Sequence, residues 1–170
     1  EGVLPERIRA EIRLHVMPID SGAADGDRCG AQAGERRLGC REYGEVLALA
    51  RANGSWDDPL VRAALHESWA GLQVLKHQAL RTLSNDAAHS TGVEANVNKL
   101  LWANWHRSLG ELAMRVGGPA SLLVDGELDP LQSLFLFTRS DTIYGGSNEV
   151  QRNIIAERHW GLPRDTWTPA

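Results

Sequence analysis

The sequence predicts an all-α protein, an up-and-down four-helix bundle behind an irregular N-terminal segment. Three observations carry that expectation. Two long stretches place apolar residues three and four apart, the spacing of a helix with one buried face. No alternation of apolar and polar residues, the mark of a half-buried strand, occurs in residues 42–170. Clusters of Gly, Pro, Asn and Asp separate the periodic stretches, as helix stops and starts do. Short connections between long helices then favour antiparallel neighbours.

The chain divides near residue 42. Residues 1–41 are rich in Arg, Gly, Asp and Ala. Their one apolar series, Ile8, Ile12, Leu14, Val16 and Ile19, is interrupted by Pro18. Asp20 to Gly34 holds no aliphatic residue larger than Ala and reads as a loop or linker. From Glu42 to Ala52 a helix carries Val46, Leu47, Leu49 and Ala50 and stops at Asn53-Gly54. Asp57-Asp58-Pro59 opens the next, an N-cap with Pro in the first turn. Its stripe is Val61, Leu65, Trp69, Leu72, Leu75, Ala79 and Leu83, and Ser84-Asn85-Asp86 ends it. Residues 87–92 read as a loop. Val93 to Val116 forms a second long helix with Val97, Leu101, Trp105, Leu109, Leu112 and Val116 on one face, terminated by Gly117-Gly118-Pro119. Asp129-Pro130 starts a helix reaching about Ser140. The last helix spans about Asn148 to His159 and ends at Gly161 and Pro163.

The chain has 170 residues, 42% apolar and 24% charged, which suits one globular domain. Its net charge of −4 argues against a broad nucleic-acid or anionic-membrane surface. No apolar run is long enough to span a bilayer, and Glu1-Gly2-Val3-Leu4-Pro5 lacks the features of a signal peptide. Cys29 and Cys40 fit no CxxC spacing and read as reduced, cytoplasmic thiols. His66 and His77 share a helix face about 16 Å apart, too far for one metal. With no HExxH and no carboxylate–histidine cluster in the sequence, no metal site is expected. GxSxG, Walker and GxGxxG motifs are missing as well. Trp69 and Trp105 lie on apolar stripes and read as core.

The stretch 142–164, TIYGGSNEVQRNIIAERHWGLPR, is the candidate for chemistry. Ile143-Tyr144 leads into Gly145-Gly146, which let the backbone turn and let another group approach it closely. Ser147 offers a hydroxyl at the helix start, and Asn148 with Gln151 forms a candidate capping pair. Free N–H groups and the positive dipole end of a helix suit an anionic ligand edge. The plainer alternative is a loop that simply begins a helix.

The letters of this stretch resemble the C-terminal signature of the acyl-CoA dehydrogenase family, T-I-x-G-G-[ST]-x-E-[IV]-Q-R-N-I-I-A-E-R-x-x-G-L-P-R, in bacterial members. Weaker matches are Gly117-Gly118 after a long helix, Arg139 ahead of the signature, and Arg51 in Arg51-Ala52-Asn53-Gly54. The last stands for the family's R-x-x-F-G, with the Phe missing and a shorter spacing. The resemblance covers residues 42–170 well and 1–41 poorly. It implies that the bundle is the third part of a larger architecture, after a helical domain and a β-domain. It also implies FAD as cofactor, an acyl-CoA thioester dehydrogenated across Cα–Cβ, electron-transfer flavoprotein as acceptor, and a homo- or hetero-oligomer of related chains. By the same resemblance Gly145, Gly146, Ser147 and Glu149 lie against the flavin, and Arg51, Gly117 and Gly118 contact FAD across a subunit interface.

The reaction needs a carboxylate to take the α-proton. Many family members place a Glu immediately before the second glycine, where this chain has Gly145. Others carry it in a Glu-Arg pair on the first bundle helix, which makes Glu35 of Glu35-Arg36 the candidate base. Two alternatives stand beside it. Glu35 belongs to a solvated charged turn, or the chain is a non-catalytic assembly subunit or truncated remnant whose base lies on another chain.

Overall fold

The computed structural model describes residues 34–84 and 93–164, with side chains for 39–82 and 93–164. The expectations for residues 1–33 and for the loop at 87–92 lie outside the described residues. The described chain is five α-helices: α1 Gly34–Ala52, α2 Pro59–Ser84, α3 Glu94–Gly117, α4 Pro130–Asp141 and α5 Asn148–His159. Short 3-10 turns at Ser55–Asp57 and Gly118–Leu122 join them, and no strand occurs among the described residues. The all-α expectation holds. One boundary moves: the first helix begins at Gly34, ahead of the break expected at residue 42, so Glu35 lies in its first turn.

The helices end where local chemistry ends them. Asn53 Nδ2 donates to the Val116 carbonyl at 2.8 Å, pinning the end of α1 to the end of α3. Asp58 Oδ1 accepts from the Leu60 amide at 2.8 Å at the start of α2. Asp129 caps α4 in a full capping box with Gln132, and Pro130 fills the first turn. Gln132 also donates to the carbonyls of Ser121 and Leu123, so the same residue anchors the preceding loop.

α3 is the central helix, and the other four pack on it. The core joins Val46 and Ala50 of α1, Val61, Leu65 and Leu72 of α2, Trp105, Leu109, Leu112 and Val116 of α3, and Leu134 of α4. Leu65 and Leu109 are fully buried, while Trp69 and Leu101 are only half-buried. Two glycines let helices approach. A Cβ on Gly71 of α2 would lie 2.6 Å from Trp105 Cδ1, and one on Gly110 of α3 would lie 3.2 Å from the Phe135 backbone of α4. The Trp105 indole donates to the Ser68 carbonyl at 2.7 Å, which satisfies its buried N–H. Cys40 is disulfide-bonded rather than the reduced thiol expected. No described helix is long and apolar enough to cross a membrane.

Candidate functional site

The turn between α4 and α5 carries the glycine pair. Gly145 and Gly146 take φ of +64° and +96°, conformations that side-chain-bearing residues rarely adopt. At Gly146 a Cβ would also lie 2.8 Å from Gln151 Nε2, whereas at Gly145 the nearest atom is Lys99 Cε at 3.6 Å. A Cβ at Gly145 would therefore rest in ordinary contact with Lys99, whereas one at Gly146 would press on its own helix. Ser147 is the N-cap of α5, accepting from the Val150 amide. The expected Asn148–Gln151 capping pair does not form. Asn148 Nδ2 instead donates to Asn104 of α3 at 2.8 Å, and Gln151 reaches back to the turn, donating to the Gly145 carbonyl at 2.7 Å. Asn96 of α3 donates in turn to Gln151 Oε1 at 2.5 Å. Glu149 is exposed, and its own amide and the Ser147 hydroxyl hold its carboxyl below the usual carboxylate range.

Behind this turn lies a buried cluster that the sequence pattern did not reveal. His106 of α3 is fully buried. Its Nδ1 lies 2.7 Å from Asp141 Oδ2 at the end of α4, and its Nε2 lies 2.8 Å from Glu42 Oε2 of α1. The Tyr144 hydroxyl donates to the other Asp141 oxygen at 2.6 Å, and Lys99 Nζ donates to the Asp141 backbone carbonyl. Burial works against charge on His106, but the hydrogen bonds and attraction of Glu42 and Asp141 outweigh it and raise its pKa. A carboxylate–histidine–carboxylate cluster thus exists where none was expected. No group of three such side chains that could hold a metal ion occurs among the described residues.

The remaining candidates sit elsewhere. Gly117 and Gly118 close α3, with Gly118 at φ +63°, and Arg51 lies nearby in the last turn of α1, over the Trp56 ring. The glycine turn instead packs beside residues 96–104 of α3, so the two groups lie about 20 Å apart or more along that helix. One chain does not gather them into one site. The side chain of Glu35 lies outside the described residues. Arg139 bonds Glu111 Oε1 at 2.8 Å and the Arg107 carbonyl, a tie between α3 and α4.

Residues 27–159 match the family model described as acyl-CoA dehydrogenase, C-terminal domain. The chain belongs to the acyl-CoA dehydrogenase family. It is similar to the acyl-CoA dehydrogenase IpdE1 of Mycobacterium tuberculosis, 53% identical over 133 residues, covering 78% of this chain and 34% of that relative. The IpdE1 of Mycolicibacterium smegmatis is 55% identical over 126 residues, covering 74% and 31%. Among solved structures, the Tcur3481-Tcur3483 steroid ACAD superposes with a TM-score of 0.65 at 25% identity, covering 76% of this chain and 36% of that one. Its G363A variant matches equally well. The chain spans about a third of the length of its curated relatives, and what it spans is the C-terminal helical domain of the acyl-CoA dehydrogenase fold.

Proposed function

We propose that this chain forms the flavin-facing C-terminal bundle of an FAD-dependent acyl-CoA dehydrogenase that oxidises the thioester of a steroid-derived acid. The carrying observation is the glycine turn, two consecutive positive-φ glycines capped into α5 by Ser147. The residues present suit a bound flavin edge. The turn offers backbone that can be approached closely, and a helix N-terminus lies beside it. The carbonyl side of Asn148 is buried there without a hydrogen-bond partner. When bound, FAD supplies the two-electron acceptor that the reaction needs, with electron-transfer flavoprotein as its reoxidant. The steroid class is supported by the solved neighbours, which are steroid ACADs by name.

Separation of Arg51, Gly117 and Gly118 from the turn supports a cofactor shared between chains, each supplying one end. A second chain also resolves the missing base. Gly145 contributes no carboxylate, so proton abstraction falls to Glu35 or to a related partner chain. The paired name of the Tcur3481-Tcur3483 neighbours supports an assembly of two related chains. The family setting supports a cytoplasmic location.

The test is a dye-linked oxidation assay on the intact protein with steroid-derived and straight-chain acyl-CoA thioesters. Preferred turnover of the steroid thioester, lost in Glu35→Gln, assigns the base to this chain. Turnover that survives Glu35→Gln and requires an added second chain assigns it to the partner. No turnover with any thioester in the assembled, flavin-loaded protein would overturn the proposal.

A further inference from the structure

We infer that His106 is a positioning residue: clamped between Glu42 and Asp141, it fixes the glycine turn through Asp141 and Tyr144. The functional weight of this rests on the reading that the turn faces the flavin; the clamp itself rests on geometry alone.

A turn with two consecutive positive-φ glycines is costly to hold in one shape, because glycine loses the most backbone freedom on ordering. Here three side chains hold it from behind. Tyr144 bonds Asp141, Gln151 bonds the Gly145 carbonyl, and Lys99 bonds the Asp141 carbonyl while lying 5.3 Å from the Tyr144 ring centroid. Asp141 is the common element. Asp141 is 1% exposed and divides its two carboxylate oxygens between Tyr144 and His106. His106 is in turn fixed by Glu42 on the opposite side, so a helix distant in sequence sets the position of the turn.

The geometry favours one protonation state. A neutral imidazole has one N–H and can donate to one carboxylate only. Both nitrogens of His106 lie within hydrogen-bond distance of carboxyl oxygens, so with Glu42 and Asp141 both ionised only the imidazolium satisfies both. The groups facing it are Glu42 from α1, Trp102 and Trp105 from its own helix, and Asp141 and Phe137 from α4. Lys99 and Tyr144 act one step further out, on Asp141. Within this set His106 is the one group that can place a positive charge between the two carboxylates. Its raised pKa agrees with that state. Loss of the proton turns a lone pair toward one carboxylate and releases it, and a break at either bond cuts the link from α1 to the turn and loosens the turn.

The test is amide hydrogen exchange of residues 143–150 in the intact protein, corrected for intrinsic rates, with the His106 ring titrated by NMR. Protection of the turn should fall as pH rises through the His106 titration. Tyr144→Phe, which removes only the hydroxyl bonded to Asp141, should speed exchange in the turn at least ~10-fold. The same variant should leave α2 protected and the melting temperature near wild type. His106→Gln should abolish the pH dependence. If His106→Gln fails to fold, Tyr144→Phe still decides. Turn exchange that is unchanged in Tyr144→Phe, or independent of the His106 titration, overturns the inference. FAD affinity separates the two readings. Faster turn exchange with unchanged FAD binding leaves the clamp standing and refutes the flavin-facing role. Weakened FAD binding without faster turn exchange refutes the clamp.

Discussion

A single buried imidazole has two carboxylates to satisfy, and that fixes how stability should depend on pH. The folded pKa of His106 lies above its ordinary value, whereas the unfolded chain keeps the ordinary one, about 6.5. The sign follows: the contribution is full below about 6.5 and is lost as pH rises through the folded value. Urea midpoints recorded upward from roughly pH 6 should therefore fall, and the fall should vanish in His106→Gln. Replacing His106 by Leu leaves Glu42 and Asp141 buried without their shared cation, and should cost about 3–5 kcal/mol. Ser147 was legible in the sequence as a hydroxyl at a helix start. The histidine cluster was not. Its members come from three helices, with Glu42 separated from His106 by 64 positions and Asp141 by 35. No spacing motif encodes such a meeting; only the packing of α1, α3 and α4 creates it. The same blindness misassigned Gln151, whose capping distance was satisfied on paper while its side chain turned to Gly145.

At the scale of helices, most boundaries were readable because the signals were chemical. The stripe from Val61 to Leu83 and its Asp58-Pro59 start match α2 at Pro59–Ser84, and Gly117 closes α3 where the glycine pair predicted. The start of α1 was not readable. Gly34-Glu35-Arg36-Arg37 shows no apolar period, so nothing in it distinguishes a helical turn from a linker. Three variants test the packing. Leu65→Ala removes a fully buried side chain between helices and should cost about 2–5 kcal/mol by urea denaturation. Gly110→Val forces side-chain volume against the α4 backbone and Thr138. It should cost about 1–3 kcal/mol or more. Asp129→Ala deletes the α4 capping box and should cost about 0.5–2 kcal/mol, with the loss confined to α4 protection in hydrogen exchange.

At the scale of the molecule, the described residues leave much apolar surface exposed. Leu122 and Leu123 are each 75% exposed, and Leu136, Phe137, Ile143 and Tyr144 are exposed on α4 and the turn that follows it. Scattered exposed apolar residues are ordinary, but Leu136, Phe137, Ile143 and Tyr144 gathered at the glycine-turn end suit a surface that other protein covers. The isolated chain should self-associate or pair with a related chain at tens of micromolar in sedimentation; a clean monomer that binds no apolar-surface dye would count against this. Without the remaining two-thirds of its relatives' length, the isolated chain should show no dehydrogenase turnover, because the reacting atoms would lie in water. The most direct measurement is the flavin content of the intact, assembled protein, read from absorbance and compared with Gly146→Val. The account predicts a yellow wild-type protein with stoichiometric FAD. In the variant, the added Cβ meets Gln151 in a backbone conformation it disfavours, and FAD binding should weaken at least ~10-fold. A colourless wild-type assembly that takes up no added FAD, or a Gly146→Val protein that folds and binds FAD as tightly as wild type, would contradict it.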